Sequence, residues 1–95
     1  MVKVTRQKKQ VRQYELPLLI QQLEEGGFLA RCEKLPGCMA EGDTMTDVLA
    51  NVVDVATNLI DLYEEKGVPI KLKLIKQFSV KTPLRLDFPL PYQLA

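Results

Sequence analysis

Along residues 44–66, apolar side chains recur at three- and four-residue steps: Met45, Val48, Leu49, Val52, Val55, Ala56, Leu59, Ile60 and Tyr63. Between them run Asp47, Asn51, Asp54, Asn58, Asp61 and Glu65, also at steps of three and four. The two sets fall on opposite sides of a 3.6-residue period. They predict an amphipathic helix with one core stripe and one acidic solvent stripe. Its length would be about 33 Å at 1.5 Å per residue. Asp43 or Thr44 can cap the free N–H groups at its start, and Asp47 stands where a capping-box partner would. Gly67 is the expected left-handed stop, and Pro69 forbids continuation.

Before this helix the period is two. Tyr14, Leu16, Leu18 and Ile20 alternate onto one face of a strand that ends near Glu24. Pro17 has no N–H for a ladder, so the well-paired part is expected from Leu18. Glu25-Gly26-Gly27 is a turn, because glycine accepts the positive φ of tight hairpins. On the returning strand, Phe28, Ala30 and Cys32 point one way and Leu29, Arg31 and Glu33 the other. Leu35-Pro36-Gly37 turns the chain again, and residues 38–41 make a short third strand. The three form a meander.

After the helix, Ile70, Leu72 and Leu74 share one face of a strand over residues 70–78, with lysines opposite. A strand that follows a helical crossover usually runs parallel to an earlier one, so a parallel pairing is expected. The rest carries Pro83, Pro89 and Pro91 and has room for one short edge strand at most. The pattern divides the chain into a basic, flexible arm (1–12), a folded unit (13–78) and a proline-rich tail or edge strand (79–95).

Composition adds scale. The 95 residues suffice for one small domain, and their 46% hydrophobic content is ordinary for a globular protein. A core of this size is limited, and self-association into a homodimer or homotetramer would bury more surface. No apolar run approaches the ~20 residues that span a bilayer. No apolar segment follows the basic N-terminus as in a signal peptide, so the cytoplasm is the expected location.

Charge is uneven although the total is only +1. Residues 2–12 carry five bases and no acid. Residues 13–66 carry eleven acids against Arg31, Lys34 and Lys66, a net of −8, and the segment from Gly67 returns to +4. An acidic middle between basic ends suits a basic protein partner for the middle, or weak nucleic-acid contact for the ends. Ordinary solvated surface accounts for the same pattern.

The candidate chemistry is thin. Cys32 and Cys38 are the two cysteines, five residues intervene, and there is no histidine. A structural zinc site wants four such ligands, and a redox pair wants closer spacing. A disulfide across the turn is geometrically possible, but free thiols acting as small hydrophobes are the favoured reading. No metal or cofactor is expected.

In order along the chain stand Gly26-Gly27-Phe28, Leu35-Pro36-Gly37-Cys38, Glu41-Gly42-Asp43-Thr44, an acidic helix, and Gly67-Val68-Pro69-Ile70. Over residues 18–74 this run resembles the HicB-like antitoxin domain. The resemblance implies an α+β fold, a small β-β-β-α-β domain similar to a cut-down ribonuclease H fold, followed by an extra C-terminal strand or extended tail. It makes Gly27, Phe28, Pro36, Gly37, Gly42, Asp43, Thr44 and Gly67 structural motif positions. It also implies a function, neutralising a small basic HicA-type toxin that cleaves mRNA by covering its active surface.

Two properties of the chain bear on that implication. A ribonuclease H-type active site needs carboxylates converging on metal ions about 4 Å apart. Asp47, Asp54 and Asp61 instead repeat every seven residues, roughly 10.5 Å apart along a helix. With no histidine either, the chain is read as non-enzymatic, and these three acids become candidate partner-binding residues. The proline-broken tail cannot form the C-terminal DNA-binding module that many relatives of this kind carry, so operator binding is not expected from it. The alternatives are a nucleic-acid-binding regulator that uses the basic arm and tail, and an orphan oligomeric domain without a toxin partner.

Overall fold

The computed structural model describes residues 10–79, 85 and 87–94. It is a small α+β fold in the order β1 (Gln10–Glu15), β2 (Leu19–Gln22), β3 (Phe28–Cys32), β4 (Cys38–Gly42), α1 (Met45–Lys66) and β5 (Lys73–Ser79). β2, β3 and β4 form an antiparallel meander with β3 in the centre. β1 and β5 form a separate two-stranded antiparallel ribbon.

The helix forms where the pattern places it, and Thr44 rather than Asp43 caps it. The Asp47 backbone N–H donates to Thr44 Oγ1 at 3.1 Å, which satisfies one of the free donors of the first turn. At the far end Gly67 adopts φ 73°, a conformation costly for any residue with a Cβ. Its N–H donates to the Glu64 carbonyl and that of Val68 to the Tyr63 carbonyl, so two of the last carbonyls are satisfied.

The core lies between α1 and the inner face of the meander. Val48, Val52 and Ala56 are buried against Ala30, Cys32 and Cys38, with Leu35 from the Leu-Pro-Gly turn and Leu72 from the segment before β5 closing the ends. Phe28, Ala30 and Cys32 do share the inner face. α1 packs against β4 and β3 and leaves β2 outside its cover.

Three expectations are corrected. The segment from Tyr14 to Glu24 is not one strand: residues 16–18 interrupt it, and its two halves join different sheets. Pro17, unable to donate to a ladder, stands in the middle of that break. β5 starts at Lys73 rather than Ile70 and pairs antiparallel with β1, not parallel to a strand of the meander. Once the break turns β1 away from the meander, β1 offers β5 an edge of opposite direction. The strand β1 also begins at Gln10, so residues 10–12 of the segment read as a flexible arm are strand; residues 1–9 of it lie outside the described residues. In the tail, residues 85 and 87–94 have no regular secondary structure, and the rest of residues 80–95 lies outside the description.

No helix among the described residues is long and apolar enough to cross a membrane.

Candidate interaction surface

The scattered motif positions of the sequence converge at the two ends of α1. At its start, Phe28 lies in register with Gly42, and a Cβ built on Gly27 would stand 3.1 Å from the Gly42 carbonyl oxygen. A Cβ on Gly42 itself would lie 2.7 Å from Val48 Cα and closer still to its backbone nitrogen. The Gly-Gly-Phe turn, the end of β4 and the first turn of α1 thus meet backbone to backbone, with no room for side chains. Asn51 Nδ2 donates to the Glu41 carbonyl at 2.8 Å across the same junction.

At the other end, the Leu-Pro-Gly turn sits beside the last turns of α1. Gly37 faces the Leu59 methyl groups, and the Tyr63 hydroxyl donates to the Pro36 carbonyl at 2.9 Å. A cleft of about 540 Å³ opens there, with Lys34, Pro36, Tyr63, Pro69 and Lys71 on its walls. A smaller polar cleft at the start of the helix is bordered by Glu41, Asp43 and Asp47.

Cys32 and Cys38 face each other in register at the end of the β3–β4 hairpin, both free and both buried. Burial pushes the Cys38 thiol above its ordinary pKa, and the neighbouring Cys32 adds to the rise. This is the environment of a small hydrophobe, since the reactive form of a cysteine is the thiolate. Among the described residues no three His, Cys, Asp or Glu side chains are grouped to hold a metal ion, and no polar or charged residue is buried.

Asp47, Asp54 and Asp61 are all exposed on the helix face turned away from the sheet. They do not converge: the helical rise spaces them along a line, as the seven-residue repeat requires. Exposed apolar side chains flank that line, Val53 on one side and Leu62 on the other. Each side of the acidic line thus carries one exposed apolar side chain, Val53 near the middle of the helix and Leu62 near its end.

Two participants were not legible in the residue pattern. Arg12 reaches across from β1 and pairs with Glu64 near the end of α1, while also donating to the Tyr14 hydroxyl at 3.2 Å. The Tyr14 hydroxyl and then Glu64 raise its guanidinium pKa. The opposite charges of arm and middle were the signal for this contact, although nothing singled out these two residues. Gln93 of the tail accepts a hydrogen bond from the Met45 N–H at 2.9 Å, at the first residue of α1. No sequence signal marks it.

No protein-family model and no solved structure matches the chain. Over 73 residues it is 30% identical to the UPF0150 protein ssr1765 of Synechocystis sp., an alignment that spans 70% of this chain and 87% of that protein. A match of that extent, over most of a protein this small, identifies the group: the chain belongs to the UPF0150 family.

Proposed function

We propose that this chain is a HicB-like antitoxin module with a reduced ribonuclease H-like fold. It acts in the cytoplasm without chemistry of its own and neutralises a HicA-type mRNA-cleaving toxin by lying over its active surface. The observation that carries this reading is the exposed stripe of Asp47, Asp54 and Asp61, bordered by Val53 and Leu62, on a helix held at both ends by the motif residues. A protein that binds RNA phosphates presents a basic face, and an acidic stripe attracts that face and competes with RNA for it. Charge complementarity of this kind speeds association and selects the partner, while the apolar flanks supply contact area.

The test is co-expression with a short basic protein encoded next to this chain. Arrest of growth by the neighbour, relieved by this chain and accompanied by co-purification, is the expected result. Changing Asp47, Asp54 and Asp61 together to lysine should abolish both relief and co-purification while leaving the helix folded. An arrest that this chain neither relieves nor binds would overturn the reading.

A further inference from the structure

The most unusual surface of the molecule is its tail. Phe88, Leu90, Tyr92 and Leu94 are between 65% and 82% exposed, more so than any other large apolar side chain described. They alternate with Pro89, Pro91 and Gln93. In a paired strand alternate residues share a face, so on pairing the four would form one apolar side. The N–H and C=O groups alternate between the two edges in the same way. The edge served by residues 88, 90, 92 and 94 has all its donors, whereas the opposite edge lacks the N–H of both prolines. Such a segment can pair on one edge only and must end the sheet that it joins.

The meander has an edge that suits it. All four residues of β2 are exposed, and among the described strands β2 pairs with β3 alone. Because α1 covers β4 and β3, the inner face at β2 is open. Ile20 lies on that face, in register with Ala30, and is 39% exposed beside the half-buried Leu18 and Phe28. An open ladder edge with an uncovered apolar inner face is the complement of a strand with one apolar face and one usable edge.

Within one copy the tail does not occupy that place. Gln93 is held at Met45, three residues beyond the end of β4, and β4 is the other edge of the sheet. With strands about 4.8 Å apart, β2 lies roughly 10 Å away across the meander.

We propose that the tail of one copy adds as a fourth strand to the β2 edge of a second copy, reciprocally, in a two-fold dimer. Each strand pairs antiparallel or parallel through its even-numbered residues, and Phe88, Leu90, Tyr92 and Leu94 cover the inner face beside Ile20. The prolines face outward, so no further chain can add, and the assembly stops at two. The area agrees with a stable interface. Exposed aromatic and leucine side chains of this size offer roughly 500 Å² per tail. Two tails and the surfaces receiving them therefore reach the ~1,600 Å² typical of a specific complex. This assignment does not rest on the antitoxin reading.

The experiment compares three chains by sedimentation equilibrium: the full chain, a chain ending at Asp87, and the double variant Leu90→Asp/Tyr92→Asp. The full chain should have the mass of two copies, and both altered chains the mass of one. Circular dichroism should report the same helix content in all three, because the tail contributes one described hydrogen bond to the fold. A full chain that is monomeric, or altered chains that keep the doubled mass, overturns the proposal. To locate the contact, Ile20→Cys and Leu90→Cys chains are mixed and oxidised by an added low-molecular-weight disulfide, which is reduced as the new bond forms. A cross-linked heterodimer is expected, and none when Met39→Cys on β4 replaces Ile20→Cys. The reverse preference, or a link that forms only within one chain of an Ile20→Cys/Leu90→Cys variant, overturns the β2 assignment.

Discussion

The Tyr63 hydroxyl donates to the Pro36 carbonyl across 27 residues of sequence, and so ties the last turn of α1 to the Leu-Pro-Gly turn between β3 and β4. The same tyrosine supplies the carbonyl that accepts from Val68 at the helix exit. One residue thereby fixes where the helix ends and where it lies on the hairpin. The contact joins two motif segments that are far apart along the chain.

Removing that hydroxyl should cost a modest amount. A Tyr63→Phe chain loses one hydrogen bond but keeps the ring, and exposed Pro36 can turn its carbonyl to water. Its urea midpoint should fall by the equivalent of about 1 kcal/mol, with an unchanged m-value. An unaltered midpoint would mean that the bond contributes nothing net.

The start of α1 should be far less tolerant. Gly42→Ala places a methyl group against the backbone of Val48, which cannot turn aside as a side chain can. Overpacking of this kind costs about 1–3 kcal/mol, and the upper end is expected here. Chemical denaturation measures it; a loss under about 0.5 kcal/mol would show that the β4–α1 junction relaxes freely.

The acids of the stripe should differ in their effect on stability. Asp47 sits in the first turn, where a negative charge complements the helix dipole, and Asp61 sits near the last, beside Glu64 and Glu65. Asp47→Asn should destabilise the chain by about 0.5 kcal/mol and Asp61→Asn should stabilise it by a few tenths. Thermal melts at low salt should show the two opposed shifts, and added salt should shrink both.

The buried cysteine pair gives a pH dependence of known sign. Burial, followed by the nearby Cys32, raises the Cys38 thiol in the folded chain. In the unfolded chain it returns to about 8.5. The folded state thus favours the protonated form. The contribution is fully present below about pH 8.5 and is lost as pH rises through the higher folded value. Stability measured from pH 7 to 10 should therefore decline, and Cys38→Ala should flatten the decline. A thiol reagent at pH 8 should modify Cys32 and Cys38 at least about 100-fold more slowly than in denaturant, since an opening of ~3 kcal/mol is needed to expose them.

Local chemistry determined much of this protein in the sequence itself. The interleaved apolar and acidic periods specify α1 and its two faces, Thr44 and Gly67 mark its ends, and the Gly-Gly and Leu-Pro-Gly turns specify the hairpins. Such features depend on residues within a few positions of one another, where spacing and backbone preference act directly. The exposed line of Asp47, Asp54 and Asp61 was legible for the same reason.

Tertiary structure decided what joins what. It parted residues 14–24 at Pro17 into two sheets, gave β5 an antiparallel partner at the other end of the chain, and brought Arg12 to Glu64 and Gln93 to Met45. Strand pairing is a contest among all open edges, and a hydrogen-bonding backbone carries no residue-specific label to announce the winner. A single glutamine or arginine on an exposed surface likewise gains its partner only when packing has set the distance between their elements.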